Sequence, residues 1–126
     1  MITLTKDQII MLHEKIYERY GGSVGILNEG MLDSALETPF QTYGGVDLFP
    51  DEKDKIVRLA YGLIKNHSFR DGNKRIGALV LLTMLELNGY HVKATNEEFT
   101  DIIMGIAASE KNDEDLNAWV EEHIDL

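Results

Sequence analysis

The chain has 126 residues, the size of one domain, and its hydrophobic content of 44% is enough for a buried core. With 22 acidic and 12 basic residues its net charge is −10, so its surface repels nucleic acid and anionic membranes, and we exclude both as direct partners. The sequence has no cysteine, which excludes a disulfide framework and thiolate chemistry. We expect a cytoplasmic protein, because the N-terminus lacks a signal-peptide pattern and the apolar run 76–87 is too short to span a bilayer.

Two helices are predicted near the N-terminus. Residues 5–8, Thr-Lys-Asp-Gln, form a capping box that opens the first helix, and the glycine pair 21–22 ends it. Residues 30–37 predict the second helix, and Pro39 lies beyond its end. Apolar residues recur at helical spacing in both segments, so each helix is expected to bury one face.

A flexible connection or short hairpin and a third helix are predicted next. Residues 41–49 contain the pair Gly44-Gly45, which permits positive φ angles and therefore a tight turn. The third helix is predicted to begin at Pro50-Asp51. Its apolar residues between positions 56 and 64 follow helical spacing, so one face is expected to lie in the core.

The second half of the chain is also predicted to be mainly helical. A fourth helix, from about residue 73 to 88, is apolar nearly all round and should be the buried central helix. Residues 90–93 are predicted to form a short extended piece. A second capping box at residues 95–98 opens a fifth helix, and a last helix starts near residue 113. The predicted fold is therefore a mainly α, single-domain helical bundle.

A function is indicated by residues 67–75, His-Ser-Phe-Arg-Asp-Gly-Asn-Lys-Arg, between the third and fourth helices. A loop that enters a helix at Gly72-Asn73-Lys74-Arg75 points unpaired backbone N–H groups and two cations at one place, which is a phosphate-binding arrangement. His67 supplies a base next to that place. The chemistry suggested is the transfer of a phosphate-containing group from a nucleotide.

His67 and Asp71 each have a structural alternative. We place His67 at the end of the third helix, where a histidine often only caps terminal carbonyls or interacts with the helix dipole. Asp71 alone could be a solvated loop acid or the N-cap of the next helix. Within this motif we interpret it instead as a ligand for Mg²⁺, which typically takes one or two carboxylates together with phosphate oxygens.

The residues that follow suit a phosphate group. Gly72 lets the backbone approach a ligand closely, and Asn73 can either bind a phosphate oxygen or hold the loop in shape. Lys74 and Arg75 can neutralise phosphoryl charge, whereas a mere surface pair at this position would oppose the helix dipole. Phe69 is interpreted as a buried anchor of the loop.

At these residues the chain resembles the Fic/Doc superfamily, most closely its death-on-curing branch, the toxins of phage and bacterial toxin–antitoxin pairs. The motif is His67-x-Phe69-x-Asp71-Gly72-Asn73-Lys74-Arg75. Further segments resemble that branch, namely residues 30–36, 42–45, 61–66 and 85–90. The resemblance implies a single Fic/Doc domain over residues 1–126.

Two departures from the adenylylating Fic pattern, His-Pro-Phe-x-x-Gly-Asn-Gly-Arg-x-x-Arg, affect the implied reaction. The second glycine position is Lys74, which would fill the space of the α-phosphate, and the final arginine position is Ala78, which weakens the clamp on the terminal phosphate. In the death-on-curing branch the same changes accompany a reversed nucleotide that presents its γ-phosphate. The resemblance therefore implies a protein kinase that uses ATP and Mg²⁺.

The resemblance also implies residue roles. His67 would be the general base on the substrate hydroxyl, Asp71 the Mg²⁺ ligand, and Gly72, Asn73, Lys74 and Arg75 the phosphate-binding residues. Lys74 and Arg75 would also take part in catalysis by stabilising the transferred group. A flap that docks the target segment would comprise Thr42, Tyr43, Gly44 and Gly45.

The implied target is a threonine of elongation factor Tu, whose phosphorylation blocks translation. Self-inhibition through a glutamate–arginine pair is not expected, since Ala78 takes the arginine position, so a separate antitoxin protein is expected to regulate the chain. The alternatives are a Fic-type transfer of AMP or another nucleotide piece, and an inactive Fic-like binding module. Lys74 and Ala78 argue against the first alternative. Intact His67, Asp71 and Asn73 argue against the second.

Overall fold

The computed structural model describes residues 1–125, which are mainly helical and form a single small domain. The α-helices are α1 Lys6–Tyr20, α2 Glu29–Glu37, α3 Glu52–Lys65, α4 Asn73–Leu87, α5 Asn96–Ala107 and α6 Asp113–His123. The strands are β1 Thr42–Tyr43, β2 Val46–Asp47, β3 His91–Val92 and β4 Ile124–Asp125, and a 3₁₀ turn covers Thr38–Phe40. Among residues 1–125, no helix has both the length and the apolar character that a membrane span requires.

Side-chain caps explain where several helices begin. The predicted capping boxes are confirmed at α1, between Thr5 and Gln8, and at α5, between Thr95 and Glu98. A third capping box, which the sequence reading did not identify, joins Asn112 to Asp115 at the start of α6. Each box satisfies backbone N–H groups that lack a carbonyl partner in the first helical turn.

The core is built on the pairing of α3 with α4, and α1 and α5 cover other sides of α4. The central position predicted for the fourth helix is confirmed: Ile76, Val80, Leu81, Met84 and Leu85 are fully buried. Gly77 permits the close approach of the two helices. A Cβ there would overlap Ile64 and lie 3.1 Å from the Ala60 carbonyl oxygen.

Two short antiparallel ribbons complete the fold. The hairpin predicted in residues 41–49 is confirmed: Thr42 pairs with Asp47 and Tyr43 with Val46, and Gly44 and Gly45 turn the chain at φ angles of 60° and 80°. The short extended piece predicted in residues 90–93 is also present, as β3. Its partner β4 follows α6 at the end of the chain, so the sequence near β3 gave no sign of it.

The predicted boundaries differ from the structure at two places. The second helix starts one residue earlier, at Glu29, because Asn28 caps it, and Pro39 lies in the 3₁₀ turn that continues this helix. The third helix starts at Glu52, because the carboxylate of Asp51 is its N-cap. These shifts of one or two residues follow from which polar side chain takes the capping position.

Candidate active site

His67 lies outside the third helix, so its predicted position at the helix end is wrong. α3 ends at Lys65, Asn66 is its C-cap, and His67 follows with a φ of 51°. A non-glycine residue in this left-handed region is strained and must be held by its surroundings. The imidazole is exposed and makes no hydrogen bond to any other part of residues 1–125. It is therefore available to a ligand.

The residues after His67 are fixed by the segment that precedes α2. The carbonyl of Ser68 accepts the N–H groups of Leu27, at 2.8 Å, and Asn28, at 3.1 Å. Phe69 forms a β-bridge with Ile26 and is only 1% exposed, which confirms it as the buried anchor of the loop. The loop is thus held from outside its own helices.

Asn73, the first residue of α4, locks the loop to its helix. Its Oδ1 accepts the N–H of Phe69 at 3.1 Å, and its Nδ2 donates to the carbonyl of Phe69 at 3.0 Å. Of the two roles considered for Asn73, holding the loop in shape is the one that these contacts display. Both polar groups of the Phe69 backbone are satisfied by one side chain.

Asp71 lies at the tip of the loop with its carboxylate exposed. Its Oδ1 accepts the N–H of Gly72 at 2.8 Å, and its Oδ2 lies against Gly22, where an added Cβ would overlap it. The N-cap of α4 is Gly72, at a φ of 74°, so the N-cap alternative for Asp71 is not what the structure contains. The carboxylate keeps free acceptor capacity that faces solvent.

The first turn of α4 carries positive charge and has no side-chain cap among the described residues. Within residues 1–125 no side chain caps this end, and its first turn contains Lys74 and Arg75 but no acid. Because the first helical N–H groups have no carbonyl partner within the helix, they add partial positive charge to that of the two side chains. Such an end is suited to bind a phosphate group.

A groove runs beside Lys74 and Arg75 along the exposed face of α4. One part, a cavity of about 360 Å³, lies between α4 and α5, and its lining includes Lys74, Arg75, Ala78, Phe99 and Met104. The other part, about 390 Å³, lies between α4 and α1 and is lined by Leu12, Lys15, Ile16, Arg19, Tyr20, Arg75, Ala78 and Leu79. We call both parts together the α4 groove. Lys74 and Ala78, the two departures from the Fic pattern, therefore face the same cavity.

Arg75 and the predicted flap adopt defined positions. The guanidinium of Arg75 lies 4.4 Å from the centre of the Tyr20 ring, a cation–π contact with α1.

The β1–β2 hairpin exposes 82% of Tyr43 and 67% of Val46, and an ion pair of 3.2 Å between Lys55 and Asp47 ties its end to α3. Both strands of the hairpin are exposed.

The donor set fits a magnesium ion held mainly by a nucleotide. Asp71 supplies one exposed carboxylate, and the part of the chain that the structure describes contains no cluster of three or more His, Cys, Asp or Glu side chains able to hold a metal. Mg²⁺ usually keeps several waters and binds through one or two carboxylates plus phosphate oxygens. Asp71 and a bound triphosphate would together complete such a shell.

His13 is a residue that the sequence reading missed. It is 3% exposed, and its Nε2 lies 2.7 Å from the Asp71 carbonyl oxygen. A signal was available: His13 is four residues after Ile9 and three before Ile16, so helical spacing places it on the inward face, and a buried imidazole needs a hydrogen-bond partner.

Comparisons with known proteins agree with the motif. The model of the Fic/DOC family matches residues 3–85. Toxin Doc of Mycolicibacterium smegmatis is 37% identical over 75 residues, which cover 60% of this chain and 58% of that protein. Protein kinase doc of Escherichia phage P1 is 28% identical over 110 residues, 85% of this chain and 83% of that protein. The family match spans the loop, the α4 N-terminus and the helices that hold them, so the chain belongs to the Fic/DOC family.

Proposed function

We propose that the chain is a toxin-type protein kinase that transfers the γ-phosphate of ATP to a protein hydroxyl. The observation that carries this proposal is the convergence of three groups on one loop–helix junction: an exposed imidazole at His67, an exposed carboxylate at Asp71, and the uncapped, cationic N-terminus of α4. These are a base, a magnesium ligand and a phosphate-binding site. Phosphoryl transfer needs little more than such positioning and charge stabilisation.

His67 acts as the general base in this proposal. It removes the proton of the substrate hydroxyl while that oxygen attacks the γ-phosphorus, and the bond from phosphorus to the bridging oxygen of ADP breaks. Lys74 and Arg75, together with the free N–H groups of α4, stabilise the charge on the transferred phosphoryl oxygens. Mg²⁺ bound at Asp71 would neutralise phosphate charge when the nucleotide is present.

Kinase chemistry is favoured over AMP transfer by the residues that face the cavity between α4 and α5. Lys74 replaces a glycine there, and Ala78 offers only a methyl group where an adenylylating enzyme has an arginine. A side chain at the first position and no cation at the second both disfavour the nucleotide orientation that exposes the α-phosphate. The name Protein kinase doc, given to the phage P1 relative, agrees with this assignment.

The proposed target is a threonine of elongation factor Tu, whose phosphorylation would block translation. The β1–β2 hairpin, Thr42–Asp47, would dock the target segment, because its exposed edge can add a strand to an extended peptide. The toxin would act in the cytoplasm, where ATP and the translation machinery are found. The name Toxin Doc, given to the Mycolicibacterium relative, supports the toxin part of the proposal.

We also propose an antitoxin partner that covers the α4 groove. The groove is apolar along Leu12, Ile16 and Leu79, and the cations at its rim are Lys15, Arg19, Lys74 and Arg75. Within residues 1–125 none of these four cations forms a salt bridge, although the chain as a whole is acidic. An amphipathic helix with acidic residues beside its apolar face would match this surface and would block the phosphate site.

The proposed reaction can be tested by mass spectrometry of elongation factor Tu after incubation with the chain, ATP and Mg²⁺. We expect one threonine to gain a single phosphate, and the same incubation without Mg²⁺ to leave it unmodified. An unmodified elongation factor in both samples, with growth inhibition still seen in cells, would reject this target.

A further inference from the structure

His13 is a buried titratable group of α1 to which the proposed reaction assigns no step. Its imidazole stacks on the Phe69 ring, with ring centres 3.8 Å apart and planes inclined by 11°. Since Phe69 is the anchor of the loop, this contact joins α1 to the active-site loop through two flat, closely packed rings.

The same imidazole is hydrogen-bonded to the backbone of the loop. Nε2 lies 2.7 Å from the carbonyl oxygen of Asp71, and because a carbonyl can only accept, Nε2 must carry the proton. The ring also lies under Gly72, where an added Cβ would be 3.4 Å from Nε2. One side chain therefore contacts Phe69 and Asp71 and lies beside Gly72.

These contacts restrain the loop on both sides of Arg70. Phe69 is already held by Asn73 through its own N–H and carbonyl groups. The carbonyl of Asp71 is held by His13, which fixes the Asp71–Gly72 peptide plane, and the N–H of that same plane donates to the carboxylate of Asp71. Losing the donor would leave this plane free to rotate and the carboxylate free to change direction.

We propose that His13 is a positioning residue for Asp71: the hydrogen bond from its Nε2 orients the carboxylate for Mg²⁺–ATP. The inference rests on the proposed function for the role of Asp71 as the magnesium ligand. The competing interpretation is that His13 only fills space in the core. The two interpretations make different predictions for a variant whose side chain fills similar space at position 13 but has no N–H donor.

The variants His13→Gln and His13→Met separate the hydrogen bond from the packing. Glutamine and methionine have nearly the same length and shape, and both lose the ring stack on Phe69. Glutamine retains an N–H donor at the reach of the Asp71 carbonyl, and methionine has none. Ile9→Val, a mild change at a fully buried residue one turn earlier in α1, is the control for lost core packing.

Two measurements are made on each variant. The first is hydrogen exchange of the hydrogen-bonded amides of Phe69, Arg70 and Gly72 without ligand. The second is calorimetric titration with Mg²⁺–ATP, with ATP alone as the baseline. For His13→Met we expect faster loop exchange and a loss of Mg²⁺–ATP affinity of about ten- to hundredfold, as for other groups that orient metal ligands. His13→Gln should recover most of both, and Ile9→Val should change neither.

The outcomes discriminate between the interpretations. If His13→Met binds Mg²⁺–ATP like the unmodified chain, or if His13→Gln performs no better than His13→Met, the positioning role is overturned. If the unmodified chain itself does not bind Mg²⁺–ATP, the proposed function fails. The hydrogen-exchange measurement alone then decides whether His13 positions the loop. Faster exchange in His13→Met than in His13→Gln then supports the positioning of the loop, and equal exchange overturns it.

Discussion

Gly22 lies so close to the carboxylate of Asp71 that a Cβ at position 22 would overlap Oδ2. Gly22 also has a φ of 96°, in the region that favours glycine. We expect Gly22→Ala to displace the Asp71 side chain and to reduce Mg²⁺–ATP affinity, measured by calorimetry, by about tenfold or more, as for other changes beside metal ligands.

Gly21→Ala is the matched control for this substitution. Gly21 has a φ of 76°, so alanine is strained there too, but among residues 1–125 no atom beyond its two chain neighbours lies within 4 Å of its added Cβ. Both variants should lose stability, and only Gly22→Ala should lose Mg²⁺–ATP affinity beyond that. Equal affinities in the two variants would show that the contact with Asp71 has no influence on the site.

His67→Asn should remove phosphate transfer while keeping the loop. Asparagine tolerates the left-handed φ of 51° at this position better than most other non-glycine residues, but its amide cannot accept a proton from the substrate. General-base catalysis typically contributes about 10²–10⁴-fold in rate, and a loss of that size is expected in a phosphorylation assay and as lost growth inhibition.

Ser68→Ala is the control in the same loop. The Ser68 hydroxyl is fully buried and has no hydrogen-bond partner among the described residues, so its removal should leave the rate unchanged. If His67→Asn remained as active as Ser68→Ala at equal expression, His67 would not be the base.

Lys74 is expected to decide which phosphate is transferred. Lys74→Gly clears the space assigned to the α-phosphate and frees the backbone of the first turn, so kinase activity should fall strongly and AMP transfer should stay weak. Adding Ala78→Arg to the same cavity supplies a cation for the terminal phosphate and should strengthen AMP transfer. Mass spectrometry of the target separates the products by the added mass. A double variant that still adds only phosphate would contradict the roles given to Lys74 and Ala78.

Part of the stability that the chain loses as the pH falls should come from Glu98. The backbone N–H of Thr95, and then the side chains of His123 and Thr95, lower the pKa of Glu98 from its ordinary 4.5. A lowered folded-state pKa adds stability that is present above the ordinary value and is lost as the pH falls through the folded value. Glu98→Gln keeps the capping acceptor but not the charge.

We therefore expect the stability difference between the unmodified chain and Glu98→Gln to shrink as the pH falls from about 5 to about 3. Urea unfolding at several pH values measures this difference. Parallel curves for the two proteins over this range would show that the charge of Glu98 adds nothing to the fold.

Local signals predicted most of the fold. Capping boxes and the glycines that end helices or form turns depend on residues close together in the chain. α1, α5 and the hairpin around Gly44-Gly45 could therefore be found from the sequence. The position of His67 was wrong because it depends on how Asn66 ends α3, a choice that the sequence pattern does not determine. The strand β4 was missed because its pairing with β3 joins residues more than 30 positions apart.

Only the part of the candidate site that lies in one continuous segment was predicted from the sequence. The motif placed Asp71, Asn73 and Lys74 at one loop–helix junction, because nine consecutive residues must lie near each other. The contributions of His13 and Gly22 depend on α1 packing beside the loop, which is a tertiary contact. The α4 groove is likewise created by three helices and has no signature in any one segment.

The central claim is that the chain transfers the γ-phosphate of ATP, and parallel incubations with α-labelled and γ-labelled ATP test it most directly. Each contains the chain, Mg²⁺ and elongation factor Tu, and His67→Asn serves as the inactive control. We predict that label enters the elongation factor from the γ-position alone and that His67→Asn transfers none. Label from the α-position would contradict the account and would assign the chain to nucleotide transfer.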